Sequence, residues 1–72
     1  DDYTTEDVVV DVLVNIFNKA VPEAEDLMEK VHHAGSAVVG AYTYDIALSR
    51  TNMTTQCARK NGFQLRVEIE RD

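Results

Sequence analysis

The sequence predicts an α+β fold, three helices packed on one face of a small antiparallel sheet in the order helix, helix, strand, helix, strand (ααβαβ). Three observations lead there. Glu23–Gly35 is opened by Pro22 and closed by a glycine, which punctuates a helix at both ends. FQLRVEIERD alternates cleanly, with Phe63, Leu65, Val67 and Ile69 on one side and Gln64, Arg66, Glu68 and Glu70 on the other. Val9, Leu13, Ile16 and Ala20 recur at helical spacing over a stretch too long for a strand.

In chain order, Thr4 and Thr5 can each cap the first helix, with Glu6 and Asp7 in its first turn. The β-branched residues of VVVDVLVNIFNKA favour a strand, but the helical spacing and the polar Asp11 and Asn15 on the other side decide for a helix. Ala20–Val21 is a tight link into the second helix, so the pair is expected to form a hairpin. Leu27, Met28 and Val31 make the second helix's apolar stripe, and His32 follows Met28 by four residues on the same face. After Gly35, SAVVGAYTY reads as a strand in which Gly40 marks a bulge or a close backbone approach. Thr43 can cap the third helix, with Asp45 in its first turn. Ile46, Ala47, Ser49 or Arg50, Met53, Cys57 and Ala58 form its weaker apolar face, and Asn61–Gly62 ends it.

Seventy-two residues allow one domain, spanning residues 1–72, with one small core. A composition of 44% hydrophobic and 28% charged residues is that of a globular domain. A net charge of −6 makes nucleic acid and anionic membranes poor partners, and a basic surface or a ligand amine better ones. No apolar run approaches the ~20 residues of a membrane span. The lone Cys57 cannot form an internal disulfide and is read as a core residue. Adjacent His32 and His33 point about 100° apart on a helix, unlike the i, i+4 pair of zinc helices, so no metal is expected. There is no phosphate loop, nucleophile elbow or HExxH motif, so neither an enzyme nor a cofactor is expected.

One constellation suggests binding. If the hairpin brings its ends together, Asp1, Asp2, Thr4 and His32 surround an apolar floor of Val9, Met28, Val31 and Leu65. That arrangement would take an ammonium group attached to an apolar side chain. Taken alone, composition favours a simpler account, an exposed acidic terminus beside ordinary core residues and a histidine bonded to a backbone carbonyl.

The stretches DDYT, VHHAG and VGAYTYDIA, with the spacing to Leu65, closely resemble the ClpS family, adaptors of ClpA/ClpC-type AAA+ proteases. The resemblance covers the whole chain. It implies an adaptor without catalytic activity of its own. Such an adaptor binds N-degron proteins or peptides through a free N-terminal Leu, Phe, Tyr or Trp and delivers them for degradation. It also implies a bacterial cytoplasm or a plastid-type organelle. By the same resemblance, Asp1, Asp2 and His32 hold the amine. Thr4, Glu6, Val9, Met28, Val31 and Leu65 form the side-chain pocket and its mouth. Asp45 and Arg50 dock on the unfoldase's N-domain, Arg50 standing where the family has Lys. An alternative keeps the fold as a docking or regulatory module that binds an AAA+ N-domain without reading N-termini.

Two departures from the family pattern bear on these expectations. Glu6 stands where many members carry an apolar gate, often Met, and Thr5 where bacterial members commonly have Pro. A carboxylate prefers water to an apolar seal, so Glu6 is expected to swing outward and relax selectivity against Ile and Val. In the family, a strand ending in Asn and a flexible delivery extension precede DDYT, where this sequence begins. The strand Phe63–Glu70 is therefore expected to show an unpaired edge and to self-associate through it.

Overall fold

Thr4 settles where the first helix begins. Its hydroxyl accepts the Asp7 N–H at 3.3 Å, while the Asp7 carboxylate accepts the Thr4 N–H at 2.9 Å, a reciprocal capping box. In the computed structural model, which describes residues 3–71, helix α1 spans Thr5–Asn15, α2 spans Val21–Ala34 and α3 spans Tyr44–Lys60.

The helices stop where backbone geometry stops them. Asn18 adopts a left-handed conformation (φ 58°) after α1, and the Lys19 N–H reaches back to the Leu13 carbonyl at 2.9 Å. Gly35 ends α2 at φ 89°, donating to the Val31 carbonyl at 2.9 Å. After α3, Phe63 N–H bonds Ala58 at 2.8 Å and Gly62 N–H bonds Arg59 at 3.1 Å, a Schellman closure around Gly62.

Helix α1 is the centre of the packing. α2 and α3 each pack on it and not on one another. Val8, Val12 and Ile16 face Cys57, Phe63 and Leu65. Leu13 faces Ala24 and Leu27, with Val9, Val10, Val14, Ala37 and Val39 around them. The run of β-branched residues is thus used on two sides of a helix, which a single apolar stripe does not require.

The expected α+β architecture is not what forms. Among the described residues there are three helices, with no β-strand and no sheet. The segments read as strands keep their alternation without a ladder: Phe63, Leu65, Val67 and Ile69 are half-buried, while Gln64, Arg66, Glu68 and Glu70 are exposed. The reason lies in where each segment packs. Ala37 and Val39 cover the α1–α2 cluster, whereas Phe63 and Leu65 cover the other face of α1. Ala37, Val39, Phe63 and Leu65 are thus covered by helices, and a lone strand pair has little stability of its own to offset that. With no sheet among the described residues, Phe63–Glu70 is not the edge strand that was expected. Gly40 does mark a close approach, because a Cβ there would sit 3.1 Å from the Tyr42 side chain.

The inner face of α3 also differs from the expectation. Ile46 and Met53 are 44% and 48% exposed, while Thr54 is buried. Ala47, Arg50, Thr54, Cys57 and Ala58 face inward at three- and four-residue spacing. The Thr54 hydroxyl donates to the Arg50 carbonyl at 2.8 Å, so its burial leaves no polar group unpaired.

Candidate functional site

The α1–α2 hairpin places the start of α1 beside the end of α2. Between them lies a recess of about 270 Å³ lined by Thr5, Glu6, Val9, Met28, Val31 and His32. That is below the ~300–1,000 Å³ usual for a drug-sized ligand and suits a single side chain. Val9, Met28 and Val31 supply apolar walls. Leu27, which the sequence groups with Met28 and Val31, turns instead into the core, while Met28 is half-buried and Val31 is 37% exposed.

At the rim, His32 Nδ1 lies 2.9 Å from Glu6 Oε2, with the two side chains 58% and 53% exposed. The expected outward swing of Glu6 does not occur, and the relaxed gate argued from it loses its basis. His32 is not a core histidine on a backbone carbonyl. It belongs to the last turn of α2, where free carbonyls concentrate partial negative charge and favour a cation. His33 stands edge-on to it, ring centroids 5.2 Å apart, and contacts Glu29 at 3.1 Å on its own helix.

Of the residues expected to form the pocket, Glu6, Val9, Met28 and Val31 meet around it together with His32. Thr4 and Leu65 do not line it. The Thr4 hydroxyl is taken up in the capping box, and Leu65 packs on the Val8–Val12–Ile16 side of α1. Asp1 and Asp2 lie outside the described residues. Thr5 was not expected among the lining residues, and its position one helical turn before Val9 is the signal that could have found it.

The two residues expected to dock on an unfoldase differ in setting. Asp45 is exposed in the first turn of α3. Arg50 is half-buried, and its guanidinium donates to the Ile16 carbonyl at the end of α1. Tyr3 donates its hydroxyl to the Asp11 carboxylate and meets the Phe63 ring edge-on. The hydrogen bond to Asp11, helped by partial desolvation and the nearby negative charge, pushes the phenol pKa up to about 12. Among the described residues no group of three or more His, Cys, Asp or Glu could hold a metal ion, and no helix is long and apolar enough to cross a membrane.

The family model described as "ATP-dependent Clp protease adaptor protein ClpS" matches residues 1–68. The chain is 48% identical over 71 residues to the ATP-dependent Clp protease adapter protein ClpS of Treponema denticola, covering 99% of this chain and 70% of that protein. It is 46% identical over 70 residues to the protein of the same name from Wolinella succinogenes, covering 97% and 69%. With that of Campylobacter jejuni subsp. jejuni it shares 38% identity over 72 residues, covering 100% and 75%. No solved structure matches the chain.

Proposed function

Because the chain belongs to the ClpS family of ATP-dependent Clp protease adaptors, which are not catalysts, we propose that it recognises its cargo by a free N-terminal bulky apolar residue. The cargo is then delivered to a Clp AAA+ protease. Residues 1–72 act as one recognition domain. The observation that carries this reading is the recess itself, a cavity the size of one side chain with apolar walls and an imidazole at its rim. Val9, Met28 and Val31 receive the N-terminal side chain, and its burial drives binding at ~25 cal/mol per Å² of apolar surface. His32 accepts a hydrogen bond from the α-ammonium group at the negative end of α2. Asp1 and Asp2 join it as acceptors, an assignment that rests on the family resemblance alone. Docking on the unfoldase's N-domain runs through the exposed Asp45 and the neighbouring Arg50 on α3, and the setting is the bacterial cytoplasm.

The test is a fluorescence-anisotropy titration with peptides differing only at the N-terminus. A peptide with free N-terminal Phe or Leu should bind, and its acetylated twin should bind about tenfold or more weakly, the worth of a hydrogen bond to a charged group. Equal affinity for the two would overturn the recognition reading in favour of a plain docking module.

A further inference from the structure

The geometry points to Glu6 as a direct acceptor for the substrate's α-ammonium group, rather than a part of the wall around the side chain. This rests on the amine-recognition reading and deepens it, because the ligand is then selected for its positive charge as well as its shape.

Glu6 Oε2 and His32 Nδ1 are 2.9 Å apart at the rim. In that contact the Nδ1–H donates to the carboxylate. An ammonium directs its N–H bonds about 109° apart, so to hold one the pair parts and the imidazole carries its hydrogen on Nε2, leaving Nδ1 to accept. Both side chains are about half exposed, so there is room for them to part around the ligand. Without a ligand the carboxylate and the imidazole occupy one another, and the ammonium takes its place between two acceptors.

Electrostatics assigns Glu6 the same role. An ammonium at this rim sits beside the first turn of α1, whose free N–H groups carry partial positive charge and repel it. Glu6 belongs to that turn and, among the described residues lining the recess, is the one carboxylate, so it supplies charge that offsets the repulsion. A contact between two side chains this exposed contributes little to folding, so the pairing itself does not explain why a carboxylate stands over an apolar recess.

The experiment uses three fluorescent peptides identical except at the N-terminal Phe, which carries a free amine, an acetylated amine or a hydroxyl in place of the amine. Each is titrated against the unmodified chain, Glu6→Gln and Glu6→Met, with urea denaturation confirming that both variants fold. Glu6→Gln, which keeps the shape and removes the charge, should weaken the free-amine peptide about tenfold and leave the other two unchanged. Added salt should weaken free-amine binding more steeply in the unmodified chain than in Glu6→Gln. If Glu6→Gln binds the free-amine peptide as well as the unmodified chain does, or if all three peptides lose affinity together, Glu6 is a structural or first-turn residue and the proposal is overturned. An unmodified chain that binds all three peptides alike overturns it as well, together with the amine-recognition reading. If the unmodified chain prefers the free amine and Glu6→Gln keeps that preference in full, that reading stands and only the role of Glu6 falls.

Discussion

Arg50 ties α3 to α1 by donating its guanidinium N–H to the backbone carbonyl of Ile16, thirty-four residues away in sequence. Ile16 follows the last residue of α1, where carbonyls lack partners within the helix. The bond therefore satisfies an end-of-helix acceptor and fixes the position of α3 in one contact. It also gives the residue expected to face a partner protein a structural duty.

Arg50→Ala should destabilise the domain by about 1.5–3 kcal/mol, the range for a hydrogen bond to a charged group. Urea denaturation checks this. Asp45→Ala, which changes an exposed first-turn carboxylate, should move the urea midpoint far less than Arg50→Ala does, so a docking defect in that variant reports mainly the surface. A midpoint that stays put in Arg50→Ala would show that the link adds nothing to stability.

Leu27→Ala and Met28→Ala should separate folding from binding. Leu27 is 9% exposed in the α1–α2 cluster, so its truncation should cost ~2–5 kcal/mol. Met28 borders an open recess and should cost clearly less, while weakening the peptide with N-terminal Phe. Urea midpoints and anisotropy on the same samples give both quantities, and a Met28→Ala loss as large as that of Leu27→Ala would return Met28 to the core.

His32→Ala should leave the fold intact and abolish the preference for a free amine. The side chain is 58% exposed and its contact is with another exposed group, so about 0–1 kcal/mol of stability is at stake. Circular dichroism and denaturation test the first half, and titration with free and acetylated peptides tests the second. Loss of helical signal in this variant would make the histidine structural.

Tyr3 should ionise late, well above the ordinary range of a phenol. Its folded pKa of about 12 lies above the 10.0 of a free tyrosine, so the bond to Asp11 favours the neutral phenol in the native state. The stability it contributes is fully present below pH 10.0 and is lost as pH rises through about 12. Phenolate absorbance followed against pH should show a late step that disappears in Tyr3→Phe, and a profile unchanged by that substitution would remove the hydrogen bond from the account.

The sequence by itself determined the three helices, because their stops and starts are local chemistry. A threonine hydroxyl caps an N–H three residues on, and a glycine after α2 can turn left-handed where other residues are strained. It also determined that α1 and α2 form a hairpin, so Val9, Met28, Val31 and His32 could be expected around one recess, whereas Glu6 was placed there by the family resemblance alone. The end of α1 was equally legible in Asn18, a residue type that tolerates the left-handed turn, but the helical spacing running on to Ala20 masked it. Only the tertiary structure decided the rest. Alternation in Phe63–Glu70 records which side chains are covered and not what covers them, and for Phe63 and Leu65 the cover is the flank of α1 instead of a neighbouring strand. The inner face of α3 was only partly legible, because Thr54 looks like a solvent residue until the Arg50 carbonyl satisfies it, and Arg50 stood only as an alternative to Ser49. The direction of Glu6 was hidden for the same reason. An isolated carboxylate is drawn to water, and the imidazole that holds it at the rim comes from another helix, twenty-six positions along the chain.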